Sequence, residues 1–267
     1  MSPSLSVVVP AYNEAPRIGK TLLAIFIHLN NEEIDAEVIV VDDGSADETV
    51  TAVKQSFAHA GKVKAILMQN GVNRGKGYSV RAGLLASSAP FAIFSDADLS
   101  TPIEEVSKLL TILNRDGVDL AFGSRAIDRS LIRVHQPWRR EQGGRVFNAI
   151  VRVATRLPFW DTQCGFKAFR MSACRPIIEV ATIDRFGFDV ELLYVAHLAG
   201  LRLREVAVRW DHNDGSKISF VRDSLGMFNE VRRIRRQALN GAYESAIRQV
   251  KTAPMVAGNQ KHGLLNT

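Results

Sequence analysis

The chain has 267 residues, 46% hydrophobic and 23% charged, an ordinary balance for a soluble globular protein of one large or two small domains. Its net charge of +6 and pI near 9.5 point to anionic partners, with nucleotides, phospholipids and nucleic acids all admitted. Its two cysteines, Cys164 and Cys174, have no Cys-x-x-Cys spacing and no histidine at metal-ligand spacing, which argues against a disulfide scaffold or zinc site and fits a reducing compartment.

Met1-Ser2-Pro3-Ser4 leads directly into a β-rich run, Leu5 to Val9, so no signal peptide is expected. Pro10-Ala11-Tyr12-Asn13-Glu14 follows, and a helical pattern runs from about Ala15 to Asn30. Within it, Leu22 to Leu29 is far too short an apolar stretch to span a bilayer. Glu37 to Val41 reads as the second strand, closed by Asp42-Asp43-Gly44-Ser45, and Ala46 to Ala60 as a helix. Val63 to Met68 is the third strand, and Asn73-Arg74-Gly75-Lys76-Gly77 opens a helix to about Ser88. Phe91 to Ser95 and Val118 to Phe122 are the fourth and fifth strands. This alternation predicts βαβ units, a parallel sheet and helices on both faces. Ligands of such sheets bind beyond the C-terminal ends of the strands, where all four polar segments fall. Neither Gly-x-Gly-x-x-Gly after the first strand nor a phosphate loop ending in Gly-Lys-Ser/Thr is present, which argues against a dinucleotide oxidoreductase and a P-loop enzyme.

The fourth strand runs into Asp96-Ala97-Asp98-Leu99-Ser100-Thr101-Pro102. Residues i and i+2 point to the same side, so Asp96 and Asp98 aim two carboxylates at one point beyond the sheet. A hard divalent cation, Mg²⁺ or Mn²⁺, relieves their repulsion and can share its ligands with a substrate's phosphates. A helix cap plus a solvated turn acid is the competing reading, with Ser100 or Thr101 capping a helix opened by Pro102. Asp42 and Asp43 either accept hydrogen bonds from a base or ribose or simply build a turn. Lys76 either meets an anion at a helix N-terminus or is a surface lysine.

Together, Val9 to Glu14, Val41 to Ser45, Asn73-x-Gly75-Lys76-Gly77 and Asp96-Ala97-Asp98 resemble the successive motifs of family 2 glycosyltransferases. The resemblance implies a GT-A fold: an open, Rossmann-like, mostly parallel mixed sheet with helices on both faces. It implies that Pro10, Tyr12, Asn13, Glu14, Asp42, Asp43, Lys76 and Asp96 serve the donor nucleotide, and that Asp96 and Asp98 hold the metal on its diphosphate. Asp161 to Lys167, Phe188 to Tyr194, Trp210 and Gly215-Ser216-Lys217 resemble segments of dolichyl-phosphate glucose synthases, whereas related mannose synthases generally differ at Asp161 to Lys167. The implied reaction is transfer of glucose from UDP-glucose to a polyprenyl phosphate with inversion. A GDP-mannose donor and a soluble acceptor stand as alternatives.

A polyprenyl phosphate is an anionic nucleophile at neutral pH, so no general base is required. Positive charge is required, from Arg125 just past the fifth strand, from Arg133, Arg139 and Arg140, and from Lys217, which resembles the family's late phosphate-contacting lysine. The catalytic candidates are Asp98, Asp161, Arg125 and Lys217. Arg125, Arg133, Arg139 and Lys217 are the candidates for the acceptor phosphate. Asp161 is read either as a metal-side or sugar-contacting acid or as a turn cap. Asp189 and Glu191 are second-tier candidates for the site, read equally as helix-start acids satisfied by backbone or salt bridges.

Two stretches carry basic amphipathic patterns. In Gly144 to Leu157 the apolar side is Val146, Phe147, Ile150, Val151, Val153, Ala154 and Leu157, opposite Arg145, Arg152 and Arg156. In Phe220 to Leu239, Leu225, Phe228, Val231 and Ile234 alternate with Arg232, Arg233, Arg235 and Arg236. Such helices lie in a headgroup layer, or pack on the domain or on a second subunit. The expected organisation is a glycosyltransferase domain over 1–219, a basic helical region over 220–250 and a disordered tail over 251–267. The expected location is the cytoplasm, peripheral on the cytosolic face of a membrane. Nucleic acid is not an expected partner, because no aromatic-plus-basic stripe or helix-turn-helix pattern appears.

Overall fold

The computed structural model describes residues 3–114, 117–134, 138–212 and 220–252, without the side chains of 138–141, 145 and 220–225. Four Val- and Ile-rich or apolar strands, β1 (Leu5–Ala11), β2 (Ala36–Asp42), β3 (Lys64–Gln69) and β4 (Phe91–Ser95), alternate with α1 (Ile18–Asn31), α2 (Thr49–Ser56) and α3 (Lys76–Ala86). The chain continues through α4 (Val106–Asn114), β5 (Leu120–Ser124), β6 (Ile132–Val134), α5 (Trp138–Thr155), β7 (Phe166–Arg170), α6 (Met171–Val180) and α7 (Phe188–Ala199). It closes with β8 (Leu203–Ala207), β9 (Trp210–Asp211), α8 (Phe220–Leu239) and α9 (Glu244–Thr252).

Among the described residues, seven strands form one sheet in the order β3-β2-β1-β4-β7-β5-β8, and β6 pairs with β9 beside it. Every pairing in the large sheet is parallel except those of β7, which runs antiparallel to both β4 and β5. The expected mixed, mostly parallel sheet is thus present. β1 and β2 are buried throughout, as strands covered on both faces are. Alternate residues feed two cores. Val8, Ile39, Val41, Phe94 and Phe122 face α3, α5, α6 and α7. Val7, Val9, Val38, Val40 and Ile93 face α1 and α4.

β1 runs two residues past the expected end, through Pro10 to Ala11. The β1–β4 ladder stops at Val8↔Phe94, so beyond it on the β4 side no strand bond is lost to the missing N–H of Pro10. Strands β6 to β9 were not anticipated, being short or flanked by charge. The helix after Asp98 also differs from expectation. Pro102, not Ser100 or Thr101, holds the position before a short 3-10 helix, Ile103–Glu105, that leads into α4. Ser100 is held in the loop instead: its N–H donates to Asp98 Oδ1 at 2.9 Å and its carbonyl accepts the Asp211 N–H at 2.8 Å.

The two amphipathic stretches are helical, and much of their apolar surface packs on the domain. Phe147, Val151 and Leu157, together with Val231 and Ile234, join the same core as Phe94 and Phe122. Leu225 lies outside the described side chains. So do residues 253–267, which hold most of the expected tail.

Candidate active site

The loops after β1, β2 and β3 are tied to one another. Asn13 adopts a left-handed φ of 54°, a conformation its short side chain tolerates. Its N–H donates to Ser45 Oγ and its Oδ1 accepts from the Ala46 N–H, both at 2.8 Å. The Glu14 N–H donates to Thr49 Oγ1 at 2.7 Å, and its carboxylate pairs with Arg17. Asp42 accepts the Ser45 N–H. Asp43 is buried and accepts three donors: Asn70 Nδ2 at 2.8 Å, the Arg74 N–H at 2.9 Å and the Gly75 N–H at 2.8 Å. Gly44, at φ +73°, lies against the Val72 backbone, where a Cβ would come within 2.5 Å of the Val72 carbonyl carbon. Pro10 is buried within β1, and Tyr12 is exposed at the rim.

Asp43 therefore fixes the loop that delivers Lys76. The Lys76 ammonium lies 2.6 Å from Asp96 Oδ1 and 5.9 Å from the Phe188 ring. Burial works to lower its pKa, but Asp96, Asp189 and Asp98 together outweigh burial and hold it above the ordinary lysine value. Asp96, Asp98, Lys76 and Asp189 thus share one electrostatic site. Beneath it, the fully buried Lys167 donates to Asp189 Oδ1 at 2.5 Å and to the Cys164 carbonyl at 2.7 Å. Burial raises the Asp189 carboxyl, and Lys167 and Lys76 only partly counter it. Of the two readings of Asp189 and Glu191, internal satisfaction agrees with these contacts. Glu191 accepts the Thr182 and Ile183 N–H groups and the Tyr243 hydroxyl, the last at 2.7 Å.

β7 explains how the 161–165 segment reaches this rim. Parallel strands end there, and an antiparallel neighbour must begin there. Ser95 pairs with Phe166, and the Asp96 N–H donates to the Gly165 carbonyl at 3.1 Å. Gly165 sits directly under the Asp96 carboxylate, and any Cβ at that position would collide with it.

On the far side of the rim, Arg125 follows β5 and clamps Asp161. Nε donates to Oδ2 at 2.6 Å, Nη2 to Oδ1 at 2.8 Å, and the Arg125 N–H to Oδ2 at 3.1 Å. Burial opposes ionisation of Asp161, but Arg125 overcomes it and holds the carboxyl at about 2. The guanidinium also lies 5.5 Å from the Trp210 ring. Glu205 of β8 accepts the Trp160 and Asp161 N–H groups, the latter at 2.7 Å. Direct contact of Arg125 with a phosphate, or of Asp161 with a metal, must therefore be made from within this bidentate pair. The adjacent Cys164 thiol is pushed up to about 12, chiefly by burial, and is no nucleophile.

Arg133 is exposed on β6, whose partner β9 carries Trp210. Arg139 and Arg140 lie in α5, but their side chains fall outside the described set, and Lys217 lies outside the described residues. Sequence reasoning did not single out Lys167 or Glu205. For Lys167 the signal was a charge inside the apolar run Gly165-Phe166-Lys167-Ala168-Phe169; for Glu205 there was none.

Asp96 and Asp98, two residues apart in the loop after β4, are part-exposed with Lys76 against Asp96, and their oxygens are of the hard type that Mg²⁺ or Mn²⁺ takes. Among the described residues, no group of three or more His, Cys, Asp or Glu side chains is arranged to hold a metal. Mg²⁺ commonly takes only one or two protein carboxylates and completes its shell with water and phosphate, so two suffice.

A GT-A sheet with acidic and basic groups collected at its C-terminal rim defines a glycosyltransferase. Residues 6–178 match glycosyl transferase family 2, and the chain belongs to that family. It is 36% identical over 267 residues to the dolichyl-phosphate beta-glucosyltransferase of Drosophila melanogaster, spanning 94% of this chain and 80% of that one. To the protein of the same name from Dictyostelium discoideum it is 32% identical over 250 residues, spanning 90% and 76%. Glucosyl-3-phosphoglycerate synthase from Mycobacterium tuberculosis, solved with Mg²⁺ and uridine diphosphate, superposes with a TM-score of 0.60 at 21% identity, over 87% of this chain and 78% of that one.

Proposed function

We propose that this glycosyltransferase moves glucose from UDP-glucose to a dolichyl-type polyprenyl phosphate, with inversion and with a divalent metal, at a membrane surface. The observation that carries the reading is the Lys76–Asp96–Asp98 grouping, held at the rim by the Asp43-bound loop, in a chain whose relatives are dolichyl-phosphate beta-glucosyltransferases. An acceptor phosphate oxygen attacks the anomeric carbon, the bond from that carbon to the UDP oxygen breaks, and its electron pair leaves with UDP. No proton has to be removed from the nucleophile, so the protein's work is alignment and charge stabilisation.

Tyr12, Asn13, Glu14, Asp42 and Asp43, with Pro10, shape and hold the nucleoside end. Lys76 faces the diphosphate. Asp96 and Asp98 would hold Mg²⁺ or Mn²⁺, which when bound neutralises the departing diphosphate. Arg125, kept in place through Nε and Nη2 by Asp161, offers Nη1 to the acceptor phosphate, with Arg133, Arg139 and Lys217 as further cations for it. The test incubates purified protein with radiolabelled UDP-glucose, Mg²⁺ or Mn²⁺ and a short dolichyl phosphate. Label is expected in the organic phase. Label that stays aqueous, or that transfers only from GDP-mannose, overturns the reading.

A further inference from the structure

Helix α5 carries more apolar surface than the core accepts. At about 100° per residue, Val153, Val146, Ile150, Ala154, Phe147 and Val151 fill one arc of roughly 160°, whereas a core-facing helix needs an apolar stripe of about 100°. Phe147 and Val151 are buried and Ala154 packs against them. The other half of the arc is open: Val146 is 61% exposed, Ile150 40% and Val153 82%. Trp160, beyond the helix, is 58% exposed, with the Arg152 guanidinium stacked 3.9 Å from its ring. Ala149, Arg152, Val153, Arg156 and Leu157 line a shallow concavity of about 370 Å³ beside the stripe. Arg156 has φ +58°, the left-handed conformation in which helices normally end on glycine. An arginine held there sets an exposed cation one turn from the half-buried Arg152.

We infer that this face of α5 docks on the headgroup layer of an anionic phospholipid bilayer: Val146, Ile150, Val153 and Trp160 enter the acyl boundary, and Arg152 and Arg156 take headgroup phosphates. Charge selects this occupant. The cations flank the stripe with long apolar stems that can lie along the acyl boundary. A two-fold pairing of two copies through this face would gather four arginines, Arg152 and Arg156 from each copy, in one interface. The face is also continuous with the site. Trp160 precedes Asp161, and the Thr162 hydroxyl donates to Asn148 Oδ1 of α5 at 3.3 Å. Docking by this face would hold the Arg125–Asp161 side of the rim at headgroup depth. That consequence rests on the proposed lipid acceptor; the docking itself does not.

The full chain is floated with vesicles of phosphatidylcholine, alone or mixed with phosphatidylserine, with no polyprenyl phosphate present. Co-flotation is expected with the mixed vesicles and not with phosphatidylcholine alone. Val153→Asp and, as a second variant in a separate segment, Trp160→Ala should weaken it by about tenfold or more. Arg152→Glu should weaken it by about fivefold and reduce its salt dependence. Wild-type thermal midpoints and wild-type turnover on a short acceptor in detergent are expected of Val153→Asp, so a failure of docking and a failure of sugar transfer read out separately. The inference is overturned if the wild type stays unbound, if the variants float like the wild type, or if Val153→Asp converts a dimer to a monomer without affecting vesicles.

Discussion

The two sides of the rim are built by different means. On the β1–β3 side, side chains hold backbone: Asn13 takes Ala46, Asp42 takes Ser45, and Asp43 takes Arg74 and Gly75. The Asn13 and Asp43 contacts join one short motif to the next, the Asp42 contact closes its own, and the acids are hydrogen-bonded by main-chain N–H groups. On the β5–β7 side, side chains hold side chains: Arg125 clamps Asp161, and Lys167 binds Asp189. The first arrangement fixes loop shape while leaving the rim to a ligand. The second buries opposite charges together, so removing one partner leaves the other uncompensated, at about 3–5 kcal/mol.

This contrast is sharpest at Asp98. It contributes charge to the rim, and in the loop it accepts the Ser100 N–H. Asp98→Ala should lower kcat/KM on the order of 10³-fold, about 4 kcal/mol of barrier, while the thermal midpoint changes little. A parallel loss of stability would place Asp98 with the structural acids instead.

Asp161→Ala should cost about 3 kcal/mol in denaturant unfolding, because Arg125 is left charged, part-buried and unpaired, and Asp161→Asn should cost less. The pH dependence carries a definite sign. The folded carboxyl sits at about 2 against an ordinary 3.8, so its contribution is complete above about pH 4 and is lost as pH falls toward 2. The wild type should lose about 2 kcal/mol over that window that Asp161→Asn does not lose. Equal acid sensitivity of the two would show that the clamp adds nothing.

Gly165→Ala tests the junction between the two sides, where the β7 lead-in lies under Asp96. The added methyl must displace that carboxylate. Turnover should fall about 10²-fold with the sheet intact by circular dichroism. Unchanged turnover would mean that the placement of Asp96 is not critical.

Asp43→Asn should have the smallest effect, about 1–2 kcal/mol of stability, since the amide keeps one acceptor for three former donors. Its kinetic mark should be a higher KM for the sugar nucleotide with kcat nearly kept. A fall in kcat alone would move Asp43 to the chemistry.

The β1–β3 side was readable in the sequence because its parts are local. Each motif follows its own strand, and parallel βαβ order puts successive strand ends on one rim. Even so, Asp43 was legible only as an acid near the nucleotide; that it spends three bonds on the next loop appears only when that loop folds back. The other side was not readable as a unit. Arg125, Asp161, Lys167, Asp189 and Trp210 are spread over 86 positions, from 125 to 210 counting both ends. No periodicity links them, and the strand that gathers them, β7, runs against the order of its neighbours.

Helix α5 shows the same division. Its heptad-like pattern set out an apolar side in the sequence, and that side exists. Which half of it meets Phe94 and Phe122, and which half is left to solvent, was decided by the packing of the helix on the sheet.

The sequence by itself determined the class of fold, the positions of the first five strands along the chain and the acids and lysine at their ends, because hydrophobic period and turn chemistry act over a few residues. Only the tertiary structure decided which charges pair, since a buried carboxylate needs a partner and finds whichever cation the sheet brings within about 3 Å. Insertion of β7 against the direction of its neighbours made that choice for Asp161 and Asp189.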